Sequence, residues 1–368
     1  MGSVDQLAES SVDSSSDGMR RPALAGRSIR RIARGRDLPV LLVLLGIVGI
    51  VSAFHPTYLQ RASLINTAQF AAYIGCMSVG TVFLLSMREI DLSVGAVYGL
   101  SAVACASLMA GGMNPWLASL LALGVGCGCG AVNGIITNAL KIQTIVVTLG
   151  TLSMFAALSL IVSGDNTIVN LPVNSAFFTV LGRSHLGLPM SIWTFIAIAV
   201  VGHILYRHTR FGAHVRLVGS NPDAARLLGI PVMRLRLTAL VFQSFLCAVI
   251  AVITLAYLQS ADPTTGVGYE LSVIAAAIVG GTALAGGQGS VIGALIGALI
   301  ISSISTGLVQ FGVTPDWSGF ATGAIIIGAV TMDAFLRRRR LSVAALSDDD
   351  HPDEEAPRGG EPSELAGT

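Results

Sequence analysis

The chain has 368 residues, of which 53% are hydrophobic and 12% charged, and a formal net charge of +1. Soluble domains carry about 25% charged residues, so the composition excludes an ordinary soluble domain and points to an all-α polytopic membrane protein. Nucleic acid is not an expected partner.

Residues 1–37 are Ser- and Asp-rich up to Asp17, then basic through Arg20, Arg21, Arg27, Arg30, Arg31, Arg34 and Arg36. A signal peptide needs a short apolar core and a small-residue cleavage site. Here a basic arm runs into a long apolar stretch, which reads as an uncleaved, disordered cytoplasmic arm. A helical span needs about 20 apolar residues. Ten candidate spans follow, at 38–54, 63–86, 92–110, 115–138, 142–163, 189–206, 237–258, 271–285, 289–310 and 317–336. Together 38–336 make one transmembrane domain. The eighth span is short for a full crossing.

Between the second and third spans, Arg88-Glu89-Ile90-Asp91-Leu92-Ser93-Val94-Gly95 joins two apolar runs with almost no loop. Charges at a membrane boundary are costly unless paired or wet. The segment reads either as an ordinary turn with Asp91 capping a helix, or as a polar break in a water-filled pathway. Gly124, Gly126, Gly128, Gly130 and Gly134, and the pair Gly293 and Gly297, are spaced for close helix packing in lipid. Gly280-Gly281-Thr282 and Gly286-Gly287-Gln288-Gly289 read as a broken segment, tolerated at membrane depth only where protein or water surrounds it. The chain has no Walker-type phosphate loop.

The stretch 206–236 is the densest in positive charge between spans, with Arg207, Arg210, Arg216, Arg226, Arg234 and Arg236. Within it Asn221 suits an N-cap, Pro222 the first turn, Asp223 the positive helix end and Gly229 the stop. Ala224, Leu227 and Leu228 share one face. Such a short helix docks on another protein or lies on lipid headgroups. The acidic tail 337–368 is expected to be disordered.

Arg and Lys in the connections orient the spans. With the N-terminus inside, Arg88, Lys141, residues 207–236 and Arg337–Arg340 are all cytoplasmic, and only Arg61 and Arg183 are outside. Both termini are then cytoplasmic. The five cysteines lie in apolar runs, and Cys127-Gly128-Cys129 lacks the usual zinc spacing. No metal, cofactor or catalytic residue is expected.

Four motifs in order resemble the ribose/xylose/arabinose-type permeases of bacterial ABC sugar importers. They are Glu89–Gly95; Val132-Asn133-Gly134 with Thr144–Thr151; Thr209–Gly212 through Gly219–Ile230; and Gly280–Thr282 with Gly286–Ser290. The resemblance runs from about Val40 to Leu336.

It implies a type II-like importer permease in the bacterial cytoplasmic membrane, carrying a pentose or hexose and working with a second permease copy. ATP-binding-cassette subunits would dock below, and an extracytoplasmic sugar-binding protein would deliver cargo. The chain would not itself be an enzyme. Gly219, Asn221, Asp223, Ala224, Ala225, Arg226, Leu228, Gly229 and Ile230 are the expected ATPase-coupling residues, with Ala224 and Ala225 small enough to enter a tight cleft. Glu89, Asp91, Ser93, Gly95, Asn133, Thr148, Gly281 and Thr282 are expected in the translocation pathway. Of the outer loops 164–188 and 259–270, the charges Arg183, Asp262 and Glu270 are expected to meet the binding protein.

Two other readings compete. A branched-chain amino acid-type permease shares the architecture, but the Glu89–Gly95 motif favours sugar. A secondary transporter would place acids or His mid-span, whereas His203 lies near a span end and Asp262, Glu270 and Asp316 at the outer edge.

Overall fold

The computed structural model describes residues 37–314, 317–328 and 331. The expected arm before Asp37, the tail 337–368 and Asp316 lie outside them. The helices are α1 (Asp37–Phe54), α2 (Arg61–Ser86), α3 (Val94–Ala110), α4 (Pro115–Leu140), α5 (Thr144–Ser163), the short α6 (Ala176–Leu181) and α7 (Met190–His208). They continue as α8 (Arg210–Ser220), α9 (Pro222–Leu227), α10 (Val232–Leu258), α11 (Tyr269–Val279), α12 (Val291–Gln310) and α13 (Trp317–Gly328). Six of them, α2, α4, α5, α7, α10 and α12, are long and apolar enough to cross a membrane. α1, α3, α11 and α13 are shorter apolar helices. These ten overlap the ten expected spans, but α11 ends at Val279 rather than at 285, α10 begins five residues before 237, and α13 is described only as far as Gly328.

Burial sorts the helices. α2 and α10 are apolar on all sides and mostly buried, whereas α5 and α7 leave most of their surface outward. A helix apolar all round belongs in a core. α10 packs on α4, α3 and α2, while α2 also meets α12, α7 and α11. The glycines of α4 divide by face. A Cβ on Gly126 would lie 2.5 Å from the Ala248 Cβ, one on Gly130 2.6 Å from the Leu240 carbonyl, and one on Gly134 2.5 Å from Leu237. Spaced four apart, these three let α10 lie backbone-close on α4. Gly124 and Gly128 meet nothing within 4 Å.

Two interruptions break the helical pattern. The first, residues 87–93, follows α2 and carries Arg88 in the left-handed region at φ 66°. The second, residues 280–290, follows the short α11. They touch: the Gly287 amide donates to the Ser86 carbonyl at 2.9 Å, and a Cβ on Gly286 would meet Arg88 Cγ at 2.5 Å.

At the opposite end of the bundle, the two long connections pair. Ile168 and Ala261 exchange both backbone hydrogen bonds, at 2.9 and 3.0 Å. The first connection also folds α6, whose Phe177 is buried against Trp116, and a small hairpin, β1 (Ser184–His185) with β2 (Leu188–Pro189).

Candidate functional site: a coupled loop and a polar break

α9 follows from its local sequence. The Asn221 side chain accepts from the Asp223 and Ala224 amides at 3.1 and 3.0 Å, Pro222 opens the first turn, and Gly229 sits at φ 76° beyond the last turn. Leu227 and Leu228 are 91% and 73% exposed, and Ala224 is exposed too. One expectation fails here. Ala225 is 2% exposed and packs into the chain's own cluster with Val215, Val218, Ile230 and Leu235, so it does not face a partner. Ile230 points inward with it. Arg226 bonds Asp223 at 2.8 Å within the same helix, an exposed pair that contributes little.

Sequence reasoning missed α8. Its signal is the apolar stripe Phe211, Val215 and Val218, begun by a Thr209 hydroxyl that accepts from the Gly212 amide at 3.3 Å. The stripe is hidden among Arg210, His214 and Arg216. α8 ends against α2: a Cβ on Gly219 would lie 1.6 Å from the Ser86 carbonyl, so only glycine permits this approach.

The first break joins this loop. Arg88 Nε donates to the Gly219 carbonyl at 2.7 Å, and its Nη2 to the Ser220 carbonyl at 3.0 Å. Glu89 Oε1 accepts from Arg236 Nε at 2.6 Å, and Oε2 from the Thr144 hydroxyl at 2.5 Å. Arg236 also donates to Asn138 Oδ1 at 3.2 Å. The ion pair is shielded, with side-chain exposures of 23% for Arg236 and 12% for Glu89. A cavity of about 890 Å³ opens beside it, lined among others by Lys141, Asn138, Thr144 and Arg226.

Two residues on, Asp91 is buried. Its Oδ1 accepts from the Ser93 amide at 2.8 Å and the Ser93 hydroxyl at 2.6 Å. Ser93 accepts from the Asn133 amide at 2.8 Å, and Asn133 accepts from the Thr151 hydroxyl at 2.7 Å. The donors thus run one way, from α5 through α4 to the carboxylate, an arrangement in which each bond polarises the next. Among the described residues Asp91 Oδ2 has no partner. Thr148 accepts from the Leu92 amide at 3.1 Å. The ordinary-turn reading of this segment is therefore too small, because its bonds reach α4, α5, α8 and α10.

Asn133 bonds Ser93, and Thr148 bonds the backbone of Ile90 and Leu92 on either side of Asp91. Gly281, at φ 87°, and Thr282, whose buried hydroxyl finds no partner among the described residues, lie in the second break instead. Among the described residues no hydrogen bond joins them to the Asp91 chain.

From the opposite end, the connection after α10 runs down beside α3. A Cβ on Gly99 would lie 2.5 Å from the Thr265 carbonyl, and one on Gly95 2.2 Å from the Gly266 carbonyl and 2.7 Å from a Glu270 carboxylate oxygen. Glu270 is thus half-buried against the Glu89–Gly95 motif, not an exposed rim charge as expected. With Gly95, Gly99, Ser159 and Thr265 it lines a small cavity of about 50 Å³. Arg183 and Asp262 are exposed, as expected. The Thr264 hydroxyl and amide, with the Thr167 hydroxyl, hold Asp262 below the usual carboxylate range.

Residues 63–330 match the family described as branched-chain amino acid transport system / permease component. The ribose import permease protein of Bacillus subtilis (strain 168) is 34% identical over 288 residues, covering 78% of this chain and 89% of the relative. Its counterpart in Escherichia coli (strain K12) is 32% identical over 301 residues, 80% and 92%. An L-arabinose ABC transporter permease protein of Azospirillum brasilense is 31% identical over 305 residues, 83% and 89%. No solved structure matches the chain. The broken, glycine-packed helical bundle and these matches lead to one conclusion: the chain belongs to the branched-chain amino acid transport system / permease component family and is a multi-pass membrane permease.

Proposed function

We propose that this chain is the membrane subunit of an ATP-driven importer of a pentose or hexose, paired with a second permease copy and driven by separate ATPase subunits. The observation that carries the reading is α9: a capped helix whose Leu227 and Leu228 stand exposed in a basic loop, with both flanks bonded to a polar break in the bundle. Exposed apolar residues at the tip of an ordered loop suit a cleft on another protein. The Arg-rich end is then cytoplasmic. The paired loops 164–188 and 259–268 meet the binding protein, with Arg183 and Asp262 on the rim. The relatives above are ribose and arabinose permeases, which supports sugar as cargo over the amino acid named in the family description.

The experiment is co-purification of the permease with its ATPase subunits from membranes. Replacing both Leu227 and Leu228 by Asp should leave the permease folded but cost most of the bound ATPase. Full retention of ATPase and of ATP hydrolysis would overturn the reading of α9. Calorimetric titration of the partner binding protein with ribose, arabinose, xylose and leucine separates sugar from amino acid cargo.

A further inference from the structure

We propose that Arg88 and Glu89 act as a two-sided clasp that transmits the displacement of α9 to the Asp91 break. The inference rests on α9 being the ATPase contact, and deepens it by naming the positioning residues behind it.

The two residues are adjacent, opposite in charge, and bonded to opposite flanks of α9. Arg88 holds the carbonyls of Gly219 and Ser220, the last residues of α8 before the Asn221 cap. Glu89 holds Arg236, in the first turns of α10 after α9. Asn138 fastens that second flank twice more, accepting from Arg236 at 3.2 Å and donating to the Met233 carbonyl at 2.8 Å. A turn that merely reversed the chain would need only local bonds. This one makes three bonds to residues 131, 132 and 147 positions away.

The clasp is also stiff. Arg88 is held at φ 66°, a conformation that side-chain-bearing residues rarely adopt and that persists only when surrounding contacts impose it. The end of α8 cannot slide on α2, because Gly219 lies against the Ser86 carbonyl, which itself accepts from Gly287 of the second break. Asp91, at the head of the chain through Ser93 and Asn133 to Thr151, is two residues beyond Glu89. A shift of α9 as a rigid body therefore reaches the Asp91 carboxylate through two side-chain bonds on the α8 flank, one on the α10 flank, and the short unwound backbone from Arg88 to Asp91. Coupling needs such a contiguous element whose position both ends bias.

The test uses the whole transporter, permease with its ATPase subunits, in lipid nanodiscs. The five native cysteines are replaced and Ala96→Cys, one residue past Gly95 on the wall of the small cavity beside α3, reports on the break. Its rate of reaction with a maleimide is measured without nucleotide and after trapping with ATP and vanadate. Glu89→Gln and Arg236→Gln should keep the ATPase bound and hydrolysing, yet shrink the nucleotide-dependent change in labelling by roughly five- to tenfold, the range of ordinary coupling energies. The exchanged pair Glu89→Arg with Arg236→Glu should recover most of it, which a generally loosened fold would not. A full nucleotide-dependent change in both single variants overturns the clasp. If the single variants fail to accumulate, Arg236→Lys carries the test: one ammonium lacks the guanidinium fork that reaches Glu89 and Asn138 together. The same selective loss is expected there, and unchanged labelling again overturns the proposal. The double Leu227, Leu228 variant keeps the premises apart, since it tests ATPase docking without touching the clasp.

Discussion

Asp91→Asn and Glu270→Gln should both lower uptake, each for its own reason. Asp91→Asn keeps an acceptor for both Ser93 bonds and removes a buried charge, so thermal unfolding of the purified permease should shift little. If Asp91 serves the pathway through its Oδ2, which no described residue bonds, uptake should still fall. Wild-type uptake in proteoliposomes would reduce the segment to a structural knot. Asn133→Leu should behave in reverse order: it removes the donor to Ser93, whose hydroxyl keeps Asp91, and leaves the Thr151 hydroxyl only a long 3.4 Å bond to the Thr148 carbonyl, and should cost about 1–3 kcal/mol of stability, read as a lowered melting temperature before transport is considered. Glu270→Gln should depress uptake without changing capture of the binding protein, since its carboxylate lies against Gly95 in the small cavity beside α3. Reversal of Arg183 and Asp262 should instead alter the rate and salt dependence of that capture. A capture defect in Glu270→Gln would return the residue to the rim.

At the scale of elements, α9 separates what local chemistry dictates from what the surrounding chain decides. Asn221, Pro222 and Gly229 announce a capped helix by residue type alone, and each does in the structure what its chemistry suggests. Asn221→Ala should cost about 1 kcal/mol, a large share for six residues, and should weaken ATPase co-purification without abolishing it. Equal co-purification would mean that docking orders the helix without its cap. Which side of α9 faces inward was not legible, because a six-residue helix has too few apolar positions to define a buried stripe. The cover comes from α8 and α10, and it takes Ala225 and Ile230. Ala225→Trp should therefore damage the permease itself, seen as lost accumulation in the membrane. α8 stayed hidden for another reason: its Arg and His residues mask the stripe at Phe211, Val215 and Val218. Likewise Glu270 reads as a rim charge because it follows a loop, and only the descent of that loop along α3 brings it to Gly95.

For the whole molecule, the charge asymmetry and the two ends of the bundle must agree on one orientation. Arg88, Lys141 and the loop 207–236 gather at the end where the two breaks meet, tied together by Arg88 to Gly219 and by Arg236 to Glu89. Arg61 and Arg183 belong to the other end, where an Arg61 nitrogen donates to the Gly187 carbonyl at 3.3 Å and the 164–188 connection pairs with 259–268. Membrane insertion retains Arg and Lys on the cytoplasmic side, so the first end should face the cytoplasm and the paired loops the outside. On the proposed function, cargo would arrive at one end and ATP energy at the other. The prediction is made at two exposed sites in a cysteine-free background, Asn170→Cys on the paired loops and Leu227→Cys on α9. A membrane-impermeant maleimide applied to right-side-out vesicles should label Asn170→Cys and spare Leu227→Cys; inverted vesicles should give the opposite pattern. Labelling of Asn170→Cys only from the cytoplasmic side would invert the bundle, put α9 where no ATPase can reach it, and leave the exposed Leu227 and Leu228 to a partner on the outer face.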